Sequence, residues 1–262
     1  GGLDEGRPIT SDNLLSILEQ GTDEYGRAYM ETVLSAVLER MNQTMSISEL
    51  IRLASKIHDS LEKRDLLLFF NDPVLQSTAA RFGWDGSITQ GTMDYLYIVD
   101  ANVGWSKVDR NIQRGAYYAV DMSEGPRPRA TLTVGYANHS GPGSLECEPQ
   151  WLNRGDDYSQ QKNACYWNFF RIYFPQGSIP LSRTPLPLPE YSVSVEIGYG
   201  VAGQDTGGIS SRHNKMVFSG LDVLEAGGTS EINLVYDLPE SVLIHQGDTI
   251  RYNLLLQKQP GV

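Results

Sequence analysis

The sequence predicts an α+β protein in which an N-terminal helical subdomain precedes an antiparallel β-sandwich of about eight strands. Before residue 84, apolar residues recur with the helical period of 3.6, and after it they alternate with a period of two. The alternating stretches are not separated by helical ones, which is typical of sheets that pack on sheets. We therefore expect a helical subdomain at residues 1–83 and a β-sandwich domain at residues 84–262.

Helical periodicity covers three segments at the start of the chain. A stripe of Leu14, Ile17 and Leu18 predicts a helix that ends at Gly21. A longer helix spans residues 27–42, and the third begins at a capping box formed by Ser46 and Glu49. The residues of these two helices that we expect to face a core are Met30, Val33, Leu34, Val37, Leu38, Met41, Leu50, Leu53, Ala54, Ile57 and Leu61.

A fourth helix is indicated near the end of the helical subdomain, which makes three to four helices in all. Asp72 is a suitable N-cap, and Pro73 fits the first helical turn. This helix would turn Leu75, Ala79 and Phe82 inward. The apolar run before it, at residues 64–70, fits a short buried strand.

Eight stretches after residue 84 have strand character. One-sided alternation is clearest at residues 130–136, 191–199, 231–238 and 249–257. In residues 191–199 and 249–257, the residues expected to face inward are Tyr191, Val193, Val195, Ile197, Tyr199, Ile250, Tyr252, Leu254 and Leu256. The remaining stretches are residues 94–100, 115–121, 166–174 and 214–223. A proline-rich connector at residues 178–191 cannot lie in a central strand, because proline lacks the N–H that a ladder needs.

Charge and hydropathy exclude several classes of function. The net charge of −11 argues against a nucleic-acid partner and against an anionic membrane surface, since both attract basic proteins. The chain contains no apolar run near the roughly 20 residues that cross a bilayer. It does not open with a signal peptide, so we expect either a cytoplasmic protein or one whose targeting segment has been removed.

Cys147 and Cys165 lie 18 residues apart in a polar, loop-like segment. A disulfide between them would stabilise the fold by about 3 kcal/mol on the loop-entropy model, and it would imply an oxidising, extracytoplasmic compartment. The alternative is a pair of unrelated free thiols. Zinc is disfavoured because paired Cys and His ligands at finger-like spacing are missing from the sequence.

Catalytic motifs are absent from the sequence. The stretch GYGVAG at residues 198–203 matches a dinucleotide fingerprint in its letters, but the loop-like QDTGGISSRHNK follows where a helix is required. Neither a nucleophile elbow nor a zinc-protease motif occurs. A hydrolase that uses carboxylates from separate strands stays open as a minor alternative, although nothing nominates a pair. We expect no catalytic residue and no cofactor.

The loop VDANVGWSKVDR at residues 99–110 concentrates polar side chains behind an apolar run. Counted as an EF-hand, Asp100 and Asn102 fit positions 1 and 3, but Asn111 stands where the bidentate glutamate belongs. Lys107 also brings a positive charge into the loop. We therefore expect a structural corner in which Lys107 pairs with Asp100 or Asp109, and a metal site formed by Asp100, Asn102 and Asp109 is the weaker alternative.

Several motifs resemble a bacterial family known as domain of unknown function 4012. They are GWDGSI, DYLYIVDANVGWSKVD, FRIYFPQGS, VYDLP and LQKQPG, and they occur in order within residues 10–261. The preceding LEKRDLLLFFNDPVLQ resembles the segment that joins the two halves of that family. The resemblance implies an extracytoplasmic, envelope-anchored setting and a distant similarity to LytR–CpsA–Psr transferases, which move glycopolymers to the cell wall.

The family's upstream half, with its membrane anchor and its glycine-rich segment, has no counterpart in this sequence. The chain therefore resembles the carboxyl-terminal half, and no catalytic residue is carried over. Our first hypothesis is a non-enzymatic cell-surface module that acts by protein or glycan contact and can self-assemble. The alternative is the carboxyl-terminal part of an envelope glycopolymer transferase. The 14 tyrosines suit interfaces and sugar stacking alike.

Overall fold

The structure, a computed structural model, describes residues 9–10, 12–104, 106–123, 125–141, 147, 161–196 and 198–261. It divides into two compact units, Gly1–Leu61 and Glu62–Val262. Residues 62–83, which the periodicity assigns to the helical subdomain, thus belong with the sheets. One reason is an ion pair between Asp65 and Lys258, which follows the last strand of the chain.

The first unit contains the helices α1 (Leu14–Tyr25) and α2 (Arg27–Thr44), and α3 (Ile47–Glu62) begins in it. Gly21 does not end α1 but lies inside it. The ring of Tyr29 occupies the space where a side chain at this position would be, which favours glycine there. The turn between α1 and α2 falls instead at Gly26, whose φ of 71° favours glycine. The predicted capping box of α3 is confirmed, since Ser46 N donates to Glu49 Oε2 at 2.8 Å.

The predicted apolar core of the helical unit is wrong in large part. Val33 and Leu61 are buried, but most of the stripe is exposed. The exposed members are Met30, Leu34, Val37, Leu38, Leu50, Ala54 and Ile57. Three short helices have too little volume to enclose all the apolar side chains on their surfaces.

The fourth helix, α4 (Pro73–Arg81), has the predicted N-terminus. Asp72 Oδ1 accepts hydrogen bonds from Val74 N at 2.8 Å and Leu75 N at 3.0 Å. Ala79 is buried as expected, whereas Leu75 and Phe82 are exposed. Residues 64–70 are not a strand: they form turns and irregular backbone, so that prediction is wrong.

Eleven strands occur in the described part of the chain. They are β1 (Asp94–Val99), β2 (Ile112–Asp121), β3 (Arg129–Asn138), β4 (Tyr166–Pro175), β5 (Ile179–Arg183), β6 (Gly208–Arg212), β7 (Lys215–Leu224), β8 (Thr229–Asp237), β9 (Leu243–Gln246), β10 (Thr249–Tyr252) and β11 (Leu254–Gln257). Five form a sheet of order β11-β1-β4-β7-β6, four form a sheet of order β2-β3-β8-β5, and β9 and β10 pair separately. The β1–β11 pair is parallel and the other pairs are antiparallel. The protein is therefore an α+β protein with mostly antiparallel sheets.

The four-stranded and five-stranded sheets share one hydrophobic core. Leu132 and Leu234 of the first sheet and Phe170 of the second are fully buried in the same cluster. The rings of Phe174 on β4 and Tyr236 on β8 lie 4.5 Å apart between centroids. The alternation along β3 and β8 thus turns one face of each strand to this interior, and β4, buried on both faces, contributes one of its faces to it.

The predicted strand at residues 191–199 is wrong. Its middle is a single helical turn, α5 (Val193–Glu196), inside the connection from β5 to β6. Turn hydrogen bonds satisfy the backbone locally, including Ser192 N to Pro189 O at 3.0 Å. Tyr199, predicted to be buried, is 87% exposed. Residues 191–199 have no neighbouring strand to pair with. Without the hydrogen bonds of a ladder, alternating apolar residues are not enough to form a strand.

The predicted strand at residues 249–257 is split at Asn253, whose carbonyl accepts from Asp94 N at 3.1 Å. Ile250, Leu254 and Leu256, predicted to be inward, are exposed, and Gln257 is buried in their place. Gln257 Oε1 accepts a hydrogen bond of 2.7 Å from the Tyr95 hydroxyl. This buried polar pair fixes which face of β11 turns inward.

Asp94 is a fully buried carboxylate at the start of β1. Its Oδ2 accepts hydrogen bonds from the hydroxyls of Tyr118, at 2.7 Å, and of Tyr252. The Tyr118 hydroxyl also lies 3.2 Å from that of Tyr236. Burial raises the pKa of Asp94, and the hydrogen bonds from the two tyrosines only partly oppose this effect. The protonated form of Asp94 is therefore favoured by folding.

We expect Asp94→Asn to change how stability depends on pH. Because the folded-state pKa of Asp94 is raised, its contribution to the unfolding free energy is present below the unfolded pKa and is lost as pH rises through the folded pKa. The unfolding free energy of Asp94→Asn should therefore improve relative to that of the original chain as the pH rises above about 4, the ordinary pKa of an aspartate. Urea titrations across this range measure the difference, and a constant difference would contradict the prediction.

Candidate functional site

The loop after β1 forms a hydrogen-bonded corner. Asn102 is its centre: Asn102 Oδ1 accepts from Gly104 N at 3.1 Å, and Asn102 Nδ2 donates to Asp109 Oδ2 at 2.8 Å. The same Nδ2 lies 2.9 Å from Ser106 Oγ. A short 3-10 turn at Val108–Asn111 then leads into β2. These bonds fix the direction in which the chain enters β2.

Asp100 lies under this corner with a nearly buried side chain, 4% exposed. Its Oδ1 accepts from the Tyr136 hydroxyl at 2.7 Å and from Asn168 Nδ2 at 2.8 Å. Its Oδ2 lies 3.1 Å from Arg114 Nε. Burial and the neighbouring Asp100 carboxylate raise the pKa of Tyr136, so its hydroxyl keeps the proton that it donates. Asp100 thus links residues from both sheets.

Arg114 is the cation of this cluster. Its Nη2 donates to the Tyr166 hydroxyl at 3.0 Å and lies 3.5 Å from Asp109 Oδ1. Its guanidinium carbon also lies 5.5 Å from the centroid of the Tyr166 ring. Burial acts to lower the pKa of Arg114, but the hydrogen bond to Tyr166 and the charges of Asp100 and Asp109 outweigh it and raise the pKa. One guanidinium therefore neutralises both carboxylates.

The prediction that Lys107 pairs with Asp100 or Asp109 is wrong. Lys107 is exposed, and among the described residues its ammonium forms no ion pair. Its backbone N–H donates instead to Gln161 O at 2.9 Å. Lysine is easily kept in water on its long stem, whereas the planar guanidinium of Arg114 can serve two carboxylates at once. Arg114 is only five residues from Asp109 in the sequence, so a search for cations near the loop carboxylates could also have found it.

Sequence reasoning missed Arg114, Tyr136, Tyr166 and Asn168. A signal for Arg114 exists, since it lies on the same face of β2 as the buried Ile112 and the half-buried Tyr118. A charged residue on an inward face is rarely left without a partner. The other three lie on β3 and β4, and only the packing of the sheets brings them to Asp100.

The candidate metal ligands Asp100, Asn102 and Asp109 do come close together, but their oxygens face protein donors. Asp100 faces Arg114, Tyr136 and Asn168, and Asn102 Oδ1 faces an amide. Within the described residues, no group of three or more His, Cys, Asp and Glu side chains is arranged to hold a metal ion.

Cys147 and Cys165 are joined by a disulfide, with Cα atoms 5.1 Å apart. The bond joins Cys147 to the buried residue that directly precedes β4.

The stretch GYGVAG is a loop with left-handed backbone at Gly198 and Gly203, and strand β6 follows it. The structure therefore gives it none of the geometry of a dinucleotide site.

The outer face of the four-stranded sheet has a groove with a volume of about 500 Å³ beside the corner. Gly115 on β2 and Gly135 on β3 are direct cross-strand partners, and a Cβ at either would meet no atom within 4 Å. Because these two glycines have no side chains, the floor of the groove is exposed backbone. Tyr117, 67% exposed, stands two residues along β2 on the same face.

Gln113 and Glu231 line this groove, which we call the glycine groove, and each is hydrogen-bonded to a polar side chain nearby. On β8, Asn233 Nδ2 donates to Glu231 Oε1 at 3.0 Å, and Asn233 Oδ1 accepts from Thr133 Oγ1 at 2.6 Å. On the opposite side, Gln113 Oε1 lies 3.0 Å from His139 Nε2. An exposed aromatic ring beside amide, hydroxyl and carboxylate groups suits a ligand with apolar and hydroxylated surfaces.

We compared the chain with known protein families, curated proteins and solved structures. The chain matches no protein-family model, no curated protein and no solved structure. In the part of the chain that the structure describes, no helix combines the length and the hydropathy needed to cross a membrane.

Proposed function

We propose that the two sheets form a β-sandwich and that the molecule is a non-enzymatic module of the extracytoplasmic bacterial envelope that binds cell-wall glycan. The glycine groove is the observation that carries this proposal. Its floor is bare backbone at Gly115 and Gly135, and Gln113 and Glu231 line it. Tyr117, Thr133 and Asn233 lie two residues further along the same face of their strands. A pyranose ring has a C–H face that stacks on an aromatic ring and hydroxyls that bond to amides and carboxylates.

Two further observations support the setting. The Cys147–Cys165 disulfide is of the kind found in oxidising compartments. The motifs that resemble domain of unknown function 4012 imply the same envelope location. The acidic net charge fits a neutral or amino-sugar-containing glycan better than a polyphosphate, since like charges repel.

Co-sedimentation with isolated bacterial sacculi that keep their attached glycopolymers tests the proposal. We expect the original chain to be retained and Gly135→Leu to lose about tenfold in affinity, because the leucine fills the groove. The backbone at Gly135 does not need glycine, so this variant should fold. Thr131→Leu is the matched control, as it adds the same side chain to the same face of β3 outside the groove. Equal binding by both variants, or no retention of the original chain, would overturn the proposal.

A further inference from the structure

Strand β2 is an edge of the four-stranded sheet, and its outer side is open. Its ten residues pair with β3 in continuous register from Ile112 opposite Asn138 to Asp121 opposite Arg129. Among the described strands, none lies on its other side. The three consecutive residues Gly115, Ala116 and Tyr117 are exposed. The middle of the edge is therefore accessible to another strand.

The hydrogen-bond phase of the ladder shows which backbone groups face outward. His139 N donates to Asn111 O at 2.8 Å, so this pair and every second pair after it are of the hydrogen-bonded type. The alternate residues Arg114, Ala116, Tyr118 and Val120 then direct their N–H and C=O groups away from β3. Within the described part of the chain, these backbone groups have no protein partner. Such a row is a template for a further strand.

The other edge of this sheet is protected, and the β2 edge is not. Strand β5 carries Pro180, and its register with β8 shifts between Pro180 and Ser182. Proline and bulges are the usual means of preventing edge pairing. In β2 the register is unbroken, and the strand contains neither proline nor lysine. Its only cation, Arg114, is turned inward to Asp100. The β2 edge is thus exposed, and it lacks the residues that usually prevent another strand from pairing.

We propose that β2 pairs in antiparallel fashion with β2 of a second copy of this chain, around a two-fold axis at Tyr117. This proposal extends the contact role proposed above to a partner. Among the antiparallel alignments, this one places all four outward-facing residues in hydrogen-bonded pairs: Arg114 faces Val120, and Ala116 faces Tyr118. An alignment centred on Arg114 would instead place two arginines opposite each other, which is unfavourable.

The side chains also fit this alignment. Tyr117 faces Tyr117 of the second copy in a non-hydrogen-bonded pair, where side chains are closest, and this brings two rings, each 67% exposed in the single chain, side by side on the outer face of the sheet. The small residues Gly115 and Ala119 lie opposite each other, and Asp121 faces the neutral Gln113. The product is a continuous eight-stranded sheet that carries two glycine grooves on one face.

Cysteine cross-linking tests the alignment. In a non-hydrogen-bonded pair the Cα atoms lie about 4.5 Å apart, which allows a disulfide. We expect Tyr117→Cys to form a covalent dimer under mild oxidation, with the new disulfide mapped to position 117 by mass spectrometry. Tyr199→Cys, at an even more exposed tyrosine on a loop, should not. Adding Ala116→Pro should abolish the cross-link, because Ala116 N–H faces outward and its loss spares the β2–β3 ladder.

Sedimentation of the original chain provides a test without variants. A concentration-dependent dimer together with cross-linking of Tyr117→Cys supports the proposal. A monomer at all concentrations, or a dimer in which Tyr117→Cys does not cross-link, overturns it. The glycan experiment is separate, since Gly135→Leu lies on an inner strand and leaves the β2 edge unchanged. If the protein is strictly monomeric and Gly135→Leu loses glycan binding, the proposed function stands and the dimer proposal fails. If the protein forms the cross-linked dimer but Gly135→Leu binds glycan as well as Thr131→Leu does, the dimer proposal stands and the glycan proposal fails.

Discussion

Replacing Arg114 with methionine should lower the free energy of unfolding by about 3–5 kcal/mol. The side chain of Asp100 is only 4% exposed, and Arg114 is its cationic partner at 3.1 Å. Without the guanidinium, the carboxylate stays in the interior with the Tyr136 and Asn168 hydrogen bonds alone. Urea unfolding followed by tryptophan fluorescence measures the change.

Two further variants identify the cause of this loss. Arg114→Met combined with Asp100→Asn removes both charges and should recover much of the stability, because an uncharged amide costs less to bury than an unpaired carboxylate. Lys107→Met removes the cation that the sequence suggested, and it should change the unfolding free energy by no more than about 0.5 kcal/mol. If Lys107→Met were as damaging as Arg114→Met, the ion pairing described for the corner would be wrong.

Loss of the Cys147–Cys165 disulfide should have the second large effect. The bridge closes a segment with a sequence separation of 18 residues, so the loop-entropy model predicts a loss of about 3 kcal/mol when it is removed. Cys165 is nearly buried at the entry to β4, which packs in the centre of the larger sheet. Unfolding in urea with and without a strong reductant measures the loss.

A variant with both cysteines replaced by serine is the control for this experiment. Its unfolding midpoint should match that of the reduced protein closely and should not respond to reductant. Non-reducing mass measurement of the original chain gives an independent check, because a bridged pair is two hydrogens lighter than two thiols. Two free thiols in the protein purified from an oxidising compartment would contradict the disulfide.

Local interactions explain which predictions from the sequence succeeded. The cap at Asp72 and the capping box at Ser46 and Glu49 join groups within three residues, so the letters alone suffice. The corner made by Asn102 and Asp109 joins residues seven apart, still within one loop. The strands β3 and β8 followed from one-sided alternation, because each has one face in the core.

The candidate groove was less accessible from the sequence. Gly115 and Gly135 are 20 residues apart, and neither has a positive φ that would have indicated a turn. Their shared role appears only when the β2–β3 register places them opposite each other. The exposed position of Tyr117 likewise depends on that register, because a shift by one residue would move every side chain to the other face.

The sequence by itself determined the α+β class, the helix caps, the polar corner and most strands. The caps and the corner depend on contacts between near neighbours, and the strands show in the alternation that one buried face imposes. Tertiary structure decided which cation neutralises Asp100, which face of β11 is buried and which strand is an open edge. It also turned the alternating residues 191–199 into a connection with one helical turn. Each of these outcomes depends on a partner distant in the sequence, and the free energy of a contact becomes available only when packing supplies that partner.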